Sequence, residues 1–351
     1  MKSEKLDSIR GFTSLYVVVH HLFGFTPIGS VLGSTLRFPF RFGQEAVILF
    51  FLLSGFVIYL SVHKIPNLKF GIYFKKRFRR IYPIVIFSFI LSILINFLNQ
   101  NSVSLYDLRD LLGNLLMLQD IDNKPGNWFS PFLGNLPLWS LSYEWIFYMI
   151  FFPIYNIFPE KNRIYLVLLI STTAWMTYLF FPNHISLVLS YFIIWWSGLE
   201  CAVVFVREKK FTIKNIKHVL TSLFIMLLES FIPVIKAISN GFAEYNHTAN
   251  QILFPIVTFR HFLFAFFAVS FGLLWWKLNL ILFDKLIGSF YKIAPISYGI
   301  YILHFPIFAL LNIDYLSNNL FCIISIKTFI LISLSYLLEI KIQPIINNFI
   351  K

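Results

Sequence analysis

Arg10 and His21 stand eleven residues apart in the first apolar stretch of this 351-residue chain. At ~100° per residue that interval turns a helix through ~1100°, about 20° from a whole number of turns, so both side chains share one face. Asp7 and Ser14 fall near the same stripe. His20 is rotated ~80° from Arg10 by the same arithmetic and reads as structural. At ~1.5 Å per residue His21 sits ~16 Å beyond Arg10. That puts a guanidinium near one membrane surface and an imidazole deep in the bilayer. A carboxylate meeting such an imidazole raises its basicity and fixes its tautomer, the usual support of a general base. Glu144, in LWSLSYEWIFY (138–148), is the expected carboxylate. Pro137 suits the first turn of a helix entering from the other side, and Glu144 then lies ~10 Å below that edge, close to the depth of His21. The competing readings are a snorkelling Arg10, a structural His21, and a Glu144 that pairs with Arg260 or Lys327.

A second constellation is KKRFRRIYP, residues 75–83. Arg77 and Arg80, at i and i+3, can face one ligand, and guanidinium groups bind phosphate bidentately. The competing reading is a positive-inside segment touching anionic lipid heads. Among the other ionisable groups at membrane depth, Arg260 is expected to neutralise a carboxylate, and Glu339 to lie at the interface. His304 is expected to be a core histidine with a hydrogen-bond partner. The chain carries no P-loop, cysteine metal cluster, H-E-x-x-H or nucleophile elbow. No metal is expected.

The elements that must position these groups are helices in a bilayer. The chain is 58% hydrophobic, 19% aromatic and only 13% charged, with a mean hydropathy of +0.74. This excludes a cytosolic enzyme, a disordered protein and a disulfide scaffold. Apolar runs at 8–25, 43–62, 83–99, 137–158, 164–181, 187–206, 219–238, 252–276, 293–311 and 320–340 predict an all-α polytopic membrane protein of about ten transmembrane helices. The first run keeps Arg10, His20 and His21 and is followed by no small-residue cleavage site, so it reads as a retained span and not a signal peptide. With the N-terminus inside, 21 Lys and Arg fall on the inner side and four (Arg37, Arg41, Arg109, Lys124) outside. The formal charge of +13 is thus positive-inside bias and not a nucleic-acid signal, and both termini are expected in the cytoplasm. One domain, 1–351, is expected. Its long extracytoplasmic loop, 100–136, should hold a short amphipathic helix at 104–118 and form a lid or a substrate platform.

Several stretches together resemble the acyltransferase 3 family of integral-membrane O-acyltransferases. LDSIRGFTSLYVVVHH (6–21) is similar to its N-terminal signature of a basic residue, ten intervening residues and a histidine. FFLLSGFVI (50–58) resembles its second-span motif, RFRRIYP (77–83) its Arg-x-x-Arg motif, and LWSLSYEWIFY its Ser-Leu-Ser-x-Glu motif. YGIYILHFPI (298–307) resembles a late-span motif. One departure stands out. Many members carry Gly-Val-Asp before the Phe-Phe pair, whereas Ile48 stands here where the Asp would be, with Gln44 and Glu45 just before it. The chain looks like a stand-alone form without a fused extracytoplasmic esterase-like domain.

The resemblance implies transfer of an acyl group, most often acetyl, from cytoplasmic acyl-CoA to a hydroxyl of a cell-surface glycan or lipid-linked sugar, in the plasma (inner) membrane. Acyl-CoA is then a donor substrate, with no permanently bound cofactor. By position, His21 becomes the catalytic histidine and Arg10 its partner. Arg77 and Arg80 engage the donor phosphates, and Glu144 supports catalysis. Asp7, Tyr143, Arg260 and His304 are further candidates. Arg10, Arg260 or Tyr143 would supply oxyanion donors, and His21 either acts as base or carries the acyl group itself. The rival class is a proton-coupled transporter of a glycan or lipid, built from the same buried Arg, Glu and His residues on discontinuous helices, which Pro295 and Pro306 allow.

Overall fold

The computed structural model describes residues 2–25, 35, 38–122, 124–208, 211–241, 249–317 and 319–349, with 2, 3, 249–254 and 314 described by backbone alone. Of the cations counted above, Arg37, Lys209, Lys210 and Lys351 lie outside the described residues. Each of the ten predicted runs is helical: α1 (Lys2–Phe25), α2 (Gly43–Val62), α3 (Phe70–Leu98), α5 (Trp139–Ile157), α6 (Glu160–Phe180), α7 (His184–Glu208), α8 (Ile213–Ser239), α9 (Ala249–Lys277), α10 (Ser297–Phe305) and α11 (Leu320–Tyr336). The short α4 (Leu105–Leu115) lies between α3 and α5, and α12 (Gln343–Phe349) closes the chain. Among the described residues there is no strand. Seven helices are long and apolar enough to cross a membrane by length and composition. The other three of the ten, α1, α5 and α10, are the ones that carry Arg10, His21, Glu144 and His304. Polar residues lower the hydropathy of α1 and α5, whereas α10 lies in an apolar helical stretch, Ala294–Leu310, that is too short. The protein is an all-α membrane protein.

α7 is the central helix. Its most apolar window is 89% buried, against 56% or less for the other long helices. α2 packs along it because two glycines remove the side chains that would hold the backbones apart. A Cβ on Gly55 would lie 2.0 Å from the Trp195 carbonyl oxygen, and one on Gly198 1.9 Å from that of Leu52. Small residues at such crossings let van der Waals packing replace the hydrophobic drive that lipid does not supply. Around them Phe147, Phe151, Phe192, Trp195 and Trp196 form a continuous aromatic core.

Two helix interruptions matter for function. Pro306 has no N–H to give Ile302, so α10 relaxes into a π-turn over Pro306–Leu310. The released Ile302 carbonyl accepts from Asn135 Nδ2 at 3.3 Å instead. The second π-turn, Leu337–Ile342, follows α11 and carries Glu339 inward.

The predicted loop helix forms as α4, started by a capping box in which Ser104 and Asp107 bond reciprocally. The rest of the 100–136 segment is pinned by side chains. Asn114 donates to the Ser130 carbonyl (2.7 Å) and accepts from the Phe132 N–H, and Gln119 donates to the Leu138 carbonyl (2.7 Å). Asp120 is buried at the base of the segment, 2.7 Å from Lys124 Nζ and from the Tyr143 hydroxyl, with His184 Nδ1 at 3.6 Å. Burial alone would raise its carboxyl pKa; the Lys124 ammonium and His184 outweigh that and hold it below the ordinary carboxylate value.

Candidate active site

A cavity of about 180 Å³ lies among α1, α2, α3, α5 and α10. Three arginines line it. Arg10, on α1, pairs with Asp7 one turn earlier at 3.0 Å and donates to the Ala294 carbonyl at 3.1 Å. Arg80 pairs with Glu339 at 2.5 Å, and the other oxygen of Glu339 accepts from the Gly299 N–H at 2.9 Å. Arg77 is only 8% exposed. Its guanidinium lies against the rings of Tyr73 and Tyr148, at 5.6 and 5.7 Å, and reaches the Ser61 hydroxyl at 3.4 Å. Among the described residues no carboxylate pairs with it, and its Nε has no hydrogen-bond partner. Both the i, i+3 expectation for Arg77 and Arg80 and the shared stripe of Asp7 and Arg10 hold, because a single helix sets each spacing.

Glu144 also lines this cavity, but its partners are not the expected ones. Its Oε1 accepts from the Ser54 hydroxyl at 2.6 Å and from the Tyr148 hydroxyl. Trp195 Nε1 donates to the same Ser54 oxygen at 3.1 Å. The expected Glu144–His21 contact therefore does not form. His21 Nδ1 instead lies 2.8 Å from His304 Nε2, and His304 Nδ1 lies 2.7 Å from the Tyr301 carbonyl oxygen. The physical reason is depth. His20 packs on Gly43 at the start of α2, whereas the outermost cavity residue of α2 is Val47, about one helical turn deeper. His21 thus stands beyond the end of the cavity, which Ser140 and Tyr301 close with a hydroxyl–hydroxyl bond of 2.7 Å.

Two further candidates lie elsewhere. Tyr143 is fully buried and donates to Asp120, away from the cavity. Arg260 forms its ion pair with Glu45, fulfilling the expectation that it neutralises a carboxylate. Glu45 stands one turn before Ile48. Lys327 donates to the Phe308 carbonyl, and among the described residues the bonds of Glu144 go to Ser54 and Tyr148, not to Lys327 or Arg260. Glu339 is buried within the protein as the counter-charge of Arg80. His20 is structural as expected, its Nδ1 2.7 Å from the Phe40 carbonyl. Ser54, Tyr148, Ser140 and Tyr301 escaped the reading of the sequence. Tyr148 follows Glu144 by four residues and Ser54 lies in the FFLLSGFVI stretch, so both had a signal; the Ser140–Tyr301 contact had none.

The protein thus encloses guanidinium groups and a hydroxyl-bonded carboxylate beside a histidine pair. The chain belongs to the acyltransferase 3 family: that family's profile, described as an acyltransferase domain, matches residues 3–340. No curated protein and no solved structure matches the chain. The protein is a membrane acyltransferase.

Proposed function

We propose that this acyltransferase moves an acyl group, acetyl in the simplest case, from cytoplasmic acyl-CoA to a hydroxyl of a cell-surface glycan or lipid-linked sugar. It would do so in the plasma (inner) membrane, with ten spans and both termini cytoplasmic. The observation that carries this reading is Arg77, a buried guanidinium facing the cavity with no carboxylate partner among the described residues. An unpaired buried charge is costly, so such a group calls for an anionic ligand. Donor phosphates answer that need, with Arg10 beside them. Arg80 is already largely neutralised by Glu339 and helps less.

From the arginines the donor arm would run past Glu144, Ser54 and Tyr148 toward Ser140 and Tyr301. There the thioester would meet the acceptor hydroxyl, held by His21 from the other side. His21 takes the hydroxyl proton, the oxygen attacks the thioester carbonyl, the C–O bond forms and the C–S bond breaks. The proton then passes to the departing CoA sulfur. The Tyr301 and Ser140 hydroxyls, in place of Tyr143 and Arg260, are the donors for the oxyanion.

The test is CoA release from acetyl-CoA in membranes containing the protein, together with ester content of surface glycans by mass spectrometry. Wild type should release CoA and add ester. His21→Ala should do neither at equal protein level. CoA release undiminished in His21→Ala would overturn the assignment of His21.

A further inference from the structure

The two imidazoles form a directional chain whose polarity follows from its far end. The Tyr301 carbonyl oxygen can only accept, so His304 Nδ1, 2.7 Å away, carries a proton. The Ile300 carbonyl, at 3.2 Å, shares it. His304 is fully buried, and among the described residues no ion pair to a carboxylate reaches either ring. The nearest titratable neighbour is His20, whose ring lies 5.0 Å from that of His21; the Val17 carbonyl, one turn earlier on α1, also accepts from the His21 ring, and the aromatic rings of Phe25, Phe305 and Tyr301 pack around the pair. A charged imidazole without a counter-ion is costly in such a place, so His304 is neutral and its Nε2 is an acceptor. The 2.8 Å contact to His21 must then be donated by His21 Nδ1–H. His21 keeps its lone pair on Nε2.

We infer that His304 is a positioning residue that fixes the tautomer and orientation of His21 so that His21 Nε2 is the proton-accepting atom. This rests on the reading of His21 as the base. A second imidazole anchored on a backbone carbonyl here fills the role that a carboxylate fills in a serine-hydrolase triad. Glu144, held by Ser54 and Tyr148 on the cavity wall, is released from it. The break in α10 at Pro306 belongs to the same device, because it ends the helix two residues after His304 and leaves the Asn135 bond to hold the last turn in place.

The experiment compares His304→Gln and His304→Leu with wild type, using acetyl-CoA turnover in membranes. It adds 15N spectra of histidine-labelled protein to read the His21 tautomer. Gln can place an amide oxygen where Nε2 stands and keep an acceptor for His21; Leu cannot. His304→Leu should lower kcat by at least about 100-fold, the range in which a mis-set general base falls, with KM for the donor little changed. His304→Gln should recover at least tenfold of that loss. The His21 Nε2 signal should be unprotonated in wild type and in His304→Gln, and divided between tautomers in His304→Leu. Equal rates for Leu and Gln, or a wild-type His21 protonated at Nε2, would overturn the inference. His21→Ala separates the two failures: if it is inactive while His304→Leu turns over at the wild-type rate, the base stands and the positioning role falls. If His21→Ala is active, the underlying reading falls first.

Discussion

At the scale of single residues, the three cavity arginines are not equivalent, and their partners make the difference. Arg80 has a partner whose side chain is 2% exposed, whereas its own is 40% exposed. Deleting either member therefore has unequal cost. Arg80→Ala strands the Glu339 carboxylate in a buried site, and an uncompensated buried charge costs about 3–5 kcal/mol. Glu339→Ala leaves a guanidinium that can still reach water in the cavity. Thermal unfolding in detergent should show a clearly lower midpoint for Arg80→Ala than for Glu339→Ala; the reverse order would contradict this pairing. Arg80 and Glu339 also mark where sequence reading stops. Arg77 and Arg80 were legible as one face because three residues on one helix fix their direction. Nothing periodic relates residue 80 to 339, or 21 to 304, so neither pair is legible in the sequence, and depth alone matches Glu144 to His21. Depth along two antiparallel helices is known to about a turn, and a turn is the distance by which His21 clears the cavity.

At the scale of helices, the site depends on how closely α2 approaches α7. That contact holds Ser54 within reach of both Trp195 and Glu144. The approach is permitted by Gly55 and Gly198, each facing a backbone carbonyl of the other helix. A methyl group at either position meets backbone, which cannot rotate away. Gly55→Ala and Gly198→Ala should each destabilise the protein by about 1–3 kcal/mol, as overpacking does, and should lower turnover by displacing Ser54. Gly272→Ala is the control, since nothing lies within 4 Å of a Cβ built there. Equal melting midpoints for all three variants would show that the helix contact is looser than described. The helices themselves were legible from hydropathy, and α4 from its amphipathic pattern. Their crossings were not: Gly55 sits in a motif that the sequence shows, but only its neighbour Trp195, 140 residues away in the chain, explains it.

At the scale of the whole molecule, the charges and the apolar helices describe one object. Arg10, Arg77 and Arg80 line the cavity, and the histidine pair lies beyond it. A donor entering beside the arginines and an acceptor arriving at the histidines would meet near Tyr301, whose hydroxyl lines the cavity and bonds Ser140 and whose carbonyl anchors His304. The most direct measurement is titration of the purified protein with CoA, in wild type and in Arg77→Gln, with Arg260→Gln as a control outside the cavity. CoA should bind wild type and Arg260→Gln alike and bind Arg77→Gln at least tenfold more weakly, with affinity falling as salt rises. CoA affinity unchanged in Arg77→Gln, or lost equally in Arg260→Gln, would contradict the placement of the donor in this cavity.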